Sequence, residues 1–349
     1  MTTNTNPKKA EGINEVHERF LSYVYTMSLL KTRLRGYDED SFVRINQKEV
    51  EARFFIWPFY TRFNEIRKLI KEGYLQKEQR YIPEIGRKVD YYKCLRPCAP
   101  DPSLVIVEEP VLGETQKFML NCLLNTSLKE GSKSTAYFDF FLKYKSDFPF
   151  HFFKFDGFSG RLHTPVTSLP GQIRKNLLLF EEPVVSLDVN QMQPQILGKI
   201  LKDNLRRNNF SIYMDGGVDI YKMIAGKYKL HSREAGKKRF FEILYSRPNQ
   251  DLLTVFGYSN WIDWVNNFKR KRIKANPHAH KPHSNLAWLL QRKEVEIMKS
   301  VWIALRCAGI PFLTVHDEII CKESDKKAVS EIFSEILKEN FVNYRIKIS

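Results

Sequence analysis

The chain has 349 residues, 43% of them hydrophobic, which is enough to bury a core in one large domain or in two to three smaller ones. Lys and Arg outnumber Asp and Glu by 56 to 40, and the formal net charge of +16 favours a polyanionic partner such as nucleic acid. No apolar run approaches the ~20 residues that span a bilayer, and the polar start lacks the apolar segment of a secretory signal. We therefore expect a cytoplasmic protein with no membrane partner.

The region 13–150 is predicted to be mostly helical. In its first segment, "INEVHERFLSYVYTMSLLKTRLR", apolar residues recur at helical spacing. In chain order, the predicted elements are a flexible tail over 1–12, helices over 13–35 and 60–76, short strands and loops over 81–110, and a helix over 114–131.

A different pattern follows residue 150. "PVVSLDVN" (183–190) predicts a short strand near an acid, and "IPFLTVHDEIICKE" (310–323) predicts a hairpin with acids at its tip. Because two strands that each present an Asp flank a helical segment, we predict an α+β fold in which one antiparallel sheet carries both acids and helices pack on it. The predicted helices are 193–207, 232–246, 284–309, which Gly309 is expected to end, and 324–341.

The two aspartates at these strand ends are candidate metal ligands. Asp188 ends the first strand, and Asp317 stands at the tip of the hairpin. Mg²⁺ prefers oxygen ligands and keeps waters and substrate phosphates around it, and two such ions ~3.5–4 Å apart can assist phosphoryl transfer. Taken alone, "HDE" is better explained as a polar turn between two short strands, and the other segments of the chain change that interpretation.

The helix over 232–246 carries cations and aromatic rings in line. Arg233, Lys237, Phe241 and Tyr245 recur at intervals of four, so they share one helical face. A nucleoside triphosphate has an anionic tail and a flat base, which suits a face with cations followed by rings. The alternative is a helix whose rings face the core and whose cations are solvated, but a core-facing stripe does not normally hold Arg and Lys in line with its rings.

Together these segments resemble the family A DNA polymerases, which are related to bacterial DNA polymerase I, over roughly residues 155–325. "SLDVNQMQPQIL" is similar to the first palm motif of that family. The match implies that Asp188 binds metal together with the backbone carbonyl of Val189, and that Gln191 and Gln193 contact the substrate. Five residues after the metal-binding Asp the family's DNA polymerases usually have a Glu that screens the sugar 2′ position, and Gln193 stands there instead.

The fingers helix of the family resembles "REAGKKRFFEILY". On that match Arg233 and Lys237 contact the triphosphate, Phe241 lies beside the sugar, and Tyr245 stacks near the templating position. Lys237 is also the candidate that protonates the leaving group. Ser246 replaces the Gly that usually follows the fingers tyrosine.

Three further segments complete the resemblance. "VHDE" matches the third motif, which implies that His316, Asp317 and Glu318 lie at the active site and that Asp317 is the second metal ligand. "SGRLHT" and "LLQRKEVEI" resemble segments whose Arg161 and Gln291 would contact the primer–template duplex, as would His316.

The resemblance implies a right-hand polymerase architecture without an exonuclease domain. The expected regions are a thumb-like region over 13–150, a first palm segment over 151–200, fingers over 201–283 and a second palm segment over 284–349.

The implied activity is that of a template-directed DNA polymerase that adds deoxynucleotides to a primer 3′-hydroxyl. Two Mg²⁺ ions, or Mn²⁺ in their place, would be the cofactors, and Asp188, Asp317, Glu318 and Lys237 would be the catalytic residues. The expected partners are a primed DNA template, nucleoside triphosphates and a processivity or element-encoded partner, and the protein would be associated with the nucleoid.

Two alternatives stay open. The uncharged Gln193 leaves room for a single-subunit RNA polymerase-like or primase-like enzyme that uses ribonucleotides, whereas "HDE" favours the DNA side. The second alternative is a catalytically silent nucleic-acid-binding protein with a polymerase fold. Such a chain would have no reason to keep Asp188, Asp317 and Lys237 together.

Overall fold

The computed structural model describes the greater part of the chain as two compact units of mixed α and β structure. Unit 1 comprises Met1–Pro110 and Ser134–Phe152, and unit 2 comprises Val111–Lys133 and Phe153–Ser349. None of the described helices is both long and apolar enough to cross a membrane. The described residues are 15–31, 43–44, 59–82, 87–95, 98–105, 109–205, 207–278 and 281–349.

Unit 1 combines helices with a three-stranded antiparallel sheet, in which β3 Arg87–Cys94 lies between β1 Val43–Arg44 and β2 Leu75–Ile82. The predicted strands and loops over 81–110 include β3, which pairs with β2 from Leu75–Cys94 to Ile82–Arg87. The helix predicted over 60–76 ends at Lys71, because the chain turns at Gly73 and continues as β2. The apolar stripe of α1 is buried against it, with Phe20 and Val24 at 0% exposure. The elements are α1 Glu15–Lys31, β1 Val43–Arg44, α2 Phe59–Lys71, β2 Leu75–Ile82, β3 Arg87–Cys94 and α4 Ala136–Tyr144.

Unit 2 is built on a six-stranded antiparallel sheet, and the predicted α+β class with an antiparallel sheet is confirmed. The strand order is β4-β7-β8-β10-β9, and β11 also pairs with β8. Its strands are β4 Thr126–Leu128, β7 Leu177–Leu179, β8 Glu182–Val189, β9 Phe312–Val315, β10 Glu318–Lys322 and β11 Ile346–Ile348, and a separate pair is formed by β5 Lys154–Phe155 and β6 Leu162–His163.

The helices of unit 2 follow the predicted order. In chain order they are α3 Glu114–Leu124, α5 Pro165–Ser168, α6 Gly171–Arg174, α7 Met192–Asn204, α8 Asn209–Asp215, α9 Ile220–Lys227, α10 Arg233–Tyr245, α11 Asp251–Phe256, α12 Asn260–Phe268, α13 Asn285–Cys307 and α14 Lys326–Asn340. Gly309 follows α13 at φ 67° and its amide donates to the Arg306 carbonyl, so the predicted end of this helix is confirmed.

Residues 111–133 differ from the expectation in two ways. The helix predicted over 114–131 ends at Leu124, because Thr126–Leu128 pairs as β4 with β7. This pairing, and the contact of the Phe118 and Phe312 rings at 6.1 Å between centroids, make the segment part of unit 2 and not of the N-terminal region that was predicted to extend to residue 150.

Helix α10 begins and packs in ways that fix its cationic face. The Ser232 hydroxyl caps its start by accepting from the Ala235 amide at 3.1 Å. A Cβ atom on Gly236 would collide with the carbonyl oxygen of Tyr221 in α9, so only glycine permits this close approach of the two helices. The contact places Arg233 and Lys237, on either side of Gly236, beside the α9 residues.

Candidate active site

Strand pairing brings the two predicted aspartates to one edge of the unit 2 sheet. Asp188 on β8 lies opposite Glu318 on β10, and Asp317 immediately precedes Glu318. Asp317 and His316 form the two-residue turn between β9 and β10, where His316 adopts φ 60°. A left-handed conformation at a non-glycine residue is uncommon and is often found at functional sites. The predicted hairpin and the predicted sharing of one sheet by both acids are confirmed.

A cleft of about 300 Å³ opens above this edge. Every residue that the sequence analysis proposed for the site lines it, with the exception of Glu318. Its walls are formed by Arg161, Asp188, Val189, Asn190, Gln191, Met192, Gln193, Tyr221, Arg233, Lys237, Phe241, Tyr245, Gln291, Glu294, His316 and Asp317.

The two aspartates share the cleft without a bonded counterion in the described part of the chain. Desolvation raises the pKa of Asp188 above its ordinary value, and the charge of Glu318 adds to the rise, while Lys237 and Lys347 oppose it. Desolvation also raises the pKa of Asp317 well above its ordinary value, reinforced by the charges of Glu294 and Asp188. A cation bound between the two carboxylates would oppose this rise and stabilise their ionised forms.

These ligands suit an open magnesium site better than a closed metal cage. Within the described residues no group of three or more His, Cys, Asp or Glu side chains could hold a metal ion. Mg²⁺ is commonly bound by one or two carboxylates, with waters and substrate phosphates as its other ligands. Asp188 and Asp317 fit that requirement, and Val189 lies next to Asp188 on the cleft wall.

Helix α10 forms the cationic wall. The Arg233 guanidinium donates from Nε to Asp219 Oδ2 at 2.7 Å and from Nη2 to Asn190 Oδ1 at 2.6 Å. It also lies 4.9 Å from the ring centroid of Tyr221, and Lys237 Nζ lies 5.9 Å from the same centroid. The phenol ring and the two polar partners hold the Arg233 guanidinium in the cleft wall.

The aromatic part of the same helix face continues this wall. The rings of Phe241 and Tyr245 stack with centroids 5.4 Å apart and an interplanar angle of 22°. The Tyr221 ring lies 6.0 Å from Phe241, so three rings line one side. The predicted order of cations and then rings on one face of α10 is confirmed.

A buried carboxylate that the sequence analysis did not identify joins the walls. Glu294 on α13 is only 1% exposed, and its Oε1 accepts from Arg161 Nε at 2.9 Å and from Arg161 Nη2 at 2.6 Å. Its Oε2 accepts from Gln193 Nε2 at 2.8 Å, and the Tyr245 hydroxyl donates to Gln193 Oε1. Burial raises the pKa of Tyr245, and the Glu294 charge adds to the rise.

Two predicted residues have roles in the structure that differ from the expected ones. The Gln191 side chain lines the cleft, but its amide is used within the protein, because Nε2 donates to the Val218 carbonyl at 3.2 Å and Oε1 accepts from the Ile220 amide at 2.7 Å. Glu318 accepts from Arg174 Nη2 at 2.9 Å and does not line the cleft. Gln191 thus anchors the start of α9, and Glu318 has a cationic partner of its own.

His316 lines the cleft beside Asp317 as an uncharged ring. Burial, with the nearby Arg161 and His163, lowers the pKa of His316 to about 4. Its Nδ1 is buried without a hydrogen-bond partner in the described residues, and its ring lies 6.2 Å from that of His163. A neutral imidazole can therefore contact a ligand without adding positive charge.

Three more residues of the site were not predicted from the sequence: Asn190, Asp219 and Tyr221. Each of them contacts Arg233 from a segment outside α10. Glu294 did leave a sequence signal. It stands at a buried position of α13, between Leu290 and Met298 at intervals of four, where an apolar residue would be expected. No known protein-family model matches the chain, and no curated protein matches it either.

Proposed function

We propose that the chain is a template-directed DNA polymerase of the right-hand type, in which the unit 2 sheet is the palm and the helices over 201–283 are the fingers. The observation that carries the proposal is the pairing of β8 with β10, which brings Asp188 and Asp317 to one cleft opposite Lys237. Acids that have no bonded counterion among the described residues and that face a cationic helix suit phosphoryl transfer, since its catalysis rests on positioning and charge stabilisation.

In the proposed reaction a primer 3′-hydroxyl attacks the α-phosphorus of a nucleoside triphosphate, and pyrophosphate leaves. Asp188 and Asp317, with the carbonyl of Val189, would hold two Mg²⁺ ions. When bound, such ions lower the pKa of the attacking hydroxyl and stabilise the charge on the leaving oxygen.

The cationic wall would bind and neutralise the triphosphate. Arg233 is held by Asp219 and Asn190, so its guanidinium is already oriented before a ligand arrives. Lys237 lies close enough to Asp188 and Asp317 to oppose the rise in the pKa of both, and it would donate a proton to the departing pyrophosphate.

The aromatic wall would receive the sugar and the base. Phe241 and Tyr245 offer stacked faces, and base–aromatic stacking tolerates every base because each has a π-face. Primed DNA would bind through Arg161, Gln291 and His316, with the salt dependence typical of a protein of net charge +16.

Primer extension tests the proposal. The wild-type protein is incubated with a primed DNA template, Mg²⁺ and either deoxynucleotides or ribonucleotides, beside Asp188→Ala and the control Asp203→Ala, which changes an exposed acid of α7. We expect extension with deoxynucleotides by wild type and control, and a loss of at least about a thousandfold in Asp188→Ala, since metal ligation contributes several kcal/mol and each 1.36 kcal/mol is tenfold.

Each alternative has its own outcome. Extension with ribonucleotides in preference to deoxynucleotides would replace the proposal by an RNA-synthesising enzyme. Equal behaviour of wild type and Asp188→Ala, with DNA still bound, would replace it by a non-catalytic nucleic-acid-binding protein.

A further inference from the structure

The Glu294 carboxylate is almost fully buried at the cleft, and the proposed reaction gives it no chemical role. It lies in the middle of α13 at 1% exposure, and both of its oxygens accept hydrogen bonds. A buried carboxylate is costly unless it is paired and hydrogen-bonded. Here Arg161 supplies the opposite charge, and Gln193 supplies a further donor.

This carboxylate determines the direction of the Gln193 side-chain amide. An ionised carboxylate can only accept, so the NH₂ group of Gln193 must point towards Glu294 and its oxygen must point the other way. The oxygen then accepts from the Tyr245 hydroxyl. One charge on α13 therefore holds the last residue of α10 through a single intervening amide.

The same carboxylate also holds the opposite wall. Arg161 donates to Glu294 Oε1 from two nitrogens and is thereby fixed next to β6. The residues joined in this way come from four separate segments, and all of them line the cleft. Replacing such a buried pair by apolar residues is often neutral for stability, so stability alone does not account for a charged network at this place.

We propose that Glu294 is a positioning residue that sets Tyr245 and Arg161 for the incoming nucleotide; this inference rests on the proposed function. Its chemistry predicts that the acid and the amide are interchangeable. In the combined variant Gln193→Glu with Glu294→Gln, the carboxylate at position 193 accepts from the Tyr245 hydroxyl and from the side-chain NH₂ group at position 294. The amide oxygen at position 294 then accepts from the Arg161 guanidinium. Every donor of the original network keeps an acceptor.

A double-mutant cycle tests this exchange with Gln193→Glu, Glu294→Gln and the combined variant. Gln193→Glu alone puts two carboxylates against each other, and Glu294→Gln alone leaves Arg161 without its counterion. We expect each single change to weaken triphosphate binding by about tenfold to a hundredfold, the effect of losing a hydrogen bond to a charged group. The combined variant should recover to within about threefold of wild type, a non-additivity expected of residues in one network.

The readouts are the dissociation constant of labelled dATP by equilibrium dialysis, KM and kcat in primer extension, and the urea midpoint of unfolding. Glu296→Gln serves as the control, because Glu296 lies on the same helix, is half exposed and pairs only with Lys293 at 2.6 Å among the described residues. We expect KM to change more than kcat, and the control to match wild type in dATP affinity.

Additive single and double variants would overturn the proposal, as would changes in the urea midpoint with no change in dATP affinity. A wild-type protein that binds dATP but extends no primer would refute the polymerase and leave the positioning role to be decided by the dialysis values. A wild-type protein that binds no dATP would refute both.

Discussion

Two kinds of carboxylate line the cleft or contact its wall residues, and they differ in what surrounds them. Glu294 and Asp219 each accept from an arginine at 2.6–2.7 Å. Asp188 and Asp317 have no such partner among the described residues, and desolvation together with neighbouring acids raises the pKa of both. The paired acids are thus neutralised by arginines of the chain itself, whereas the unpaired acids are available to bind a cationic ligand.

This difference separates the groups that hold the cleft from the groups that act in it. Breaking a buried pair leaves a charge without a partner and destabilises the fold. Removing one of two carboxylates that repel each other stabilises the fold, but it also removes a group that would bind the ligand. Substitutions of the two kinds should therefore move stability in opposite directions.

The largest effect is expected from Asp317→Asn. Primer extension should fall by at least about a thousandfold, because a metal ligand is lost. The free energy of unfolding at pH 7 should rise by about 0.5–2 kcal/mol, the range common for single stabilising substitutions, because one of two buried repelling carboxylates becomes uncharged. Urea unfolding and primer extension measure the two effects on the same preparation.

The pH dependence of that gain gives an internal control. The pKa of Asp317 is raised in the folded protein, so the ionised group destabilises the fold at neutral pH, and protonation removes this penalty. The stability difference between Asp317→Asn and wild type should therefore shrink as the pH falls toward the ordinary aspartate pKa of 3.8. A variant less stable than wild type at pH 7 would contradict the contrast.

A smaller effect is expected from Asp219→Asn, which alters a paired acid. Asn keeps the cap of α9, where Asp219 Oδ1 accepts from the Lys222 amide at 3.1 Å, so the variant removes mainly the charge facing Arg233. We expect kcat in primer extension to fall by about tenfold because Arg233 loses its orientation, without a rise in KM, since its charge remains.

Stability should fall by less than about 1 kcal/mol in this variant, because the pair is partly solvated. Asp251→Asn is the matched control, since Asp251 accepts from Arg239 at 3.4 Å away from the cleft. If both variants lowered kcat equally, the special position of Asp219 would be disproved.

The smallest effect on primer extension is expected at Lys269, a buried cation outside the cleft. Its side chain is 1% exposed, Nζ donates to the Ile243 carbonyl at 3.2 Å, and burial lowers the pKa of Lys269 to about 8. Between pH 8 and the ordinary lysine pKa of 10.5 the unfolded chain binds more protons than the folded one, so stability from this group rises with pH.

Lys269→Met should remove this dependence. The difference in unfolding free energy between wild type and variant, measured by urea at pH 7, 8, 9 and 10, should shift in favour of wild type as the pH increases. A difference that stays constant over this range would show that Lys269 does not titrate there.

The features of the site that rest on local sequence patterns were predictable. Interval-four spacing put Arg233, Lys237, Phe241 and Tyr245 on one helical face, and alternating strand formers with a two-residue turn put Asp317 at a hairpin tip. These features depend only on helical and strand periodicity, which the sequence displays directly.

The features that rest on distant partners were not predictable. Gln191 makes its hydrogen bonds with residues 27 and 29 positions further along the chain, and Glu294 bonds to Arg161 across 133 positions. Nothing local distinguishes an acid that will meet an arginine from one that will stay unpaired. The same reason explains β4, whose short strand is defined by its pairing with β7.

Direct measurement of Mn²⁺ binding tests the central contrast, because it needs neither primer nor nucleotide. The free Mn²⁺ signal in electron paramagnetic resonance is followed as protein is added, for wild type, for Asp188→Asn with Asp317→Asn, and for Glu294→Gln. We expect wild type and Glu294→Gln to bind Mn²⁺ and the double aspartate variant to leave it free. Equal Mn²⁺ binding by all three proteins would contradict the claim that Asp188 and Asp317 are the acids that the cleft offers to a cation.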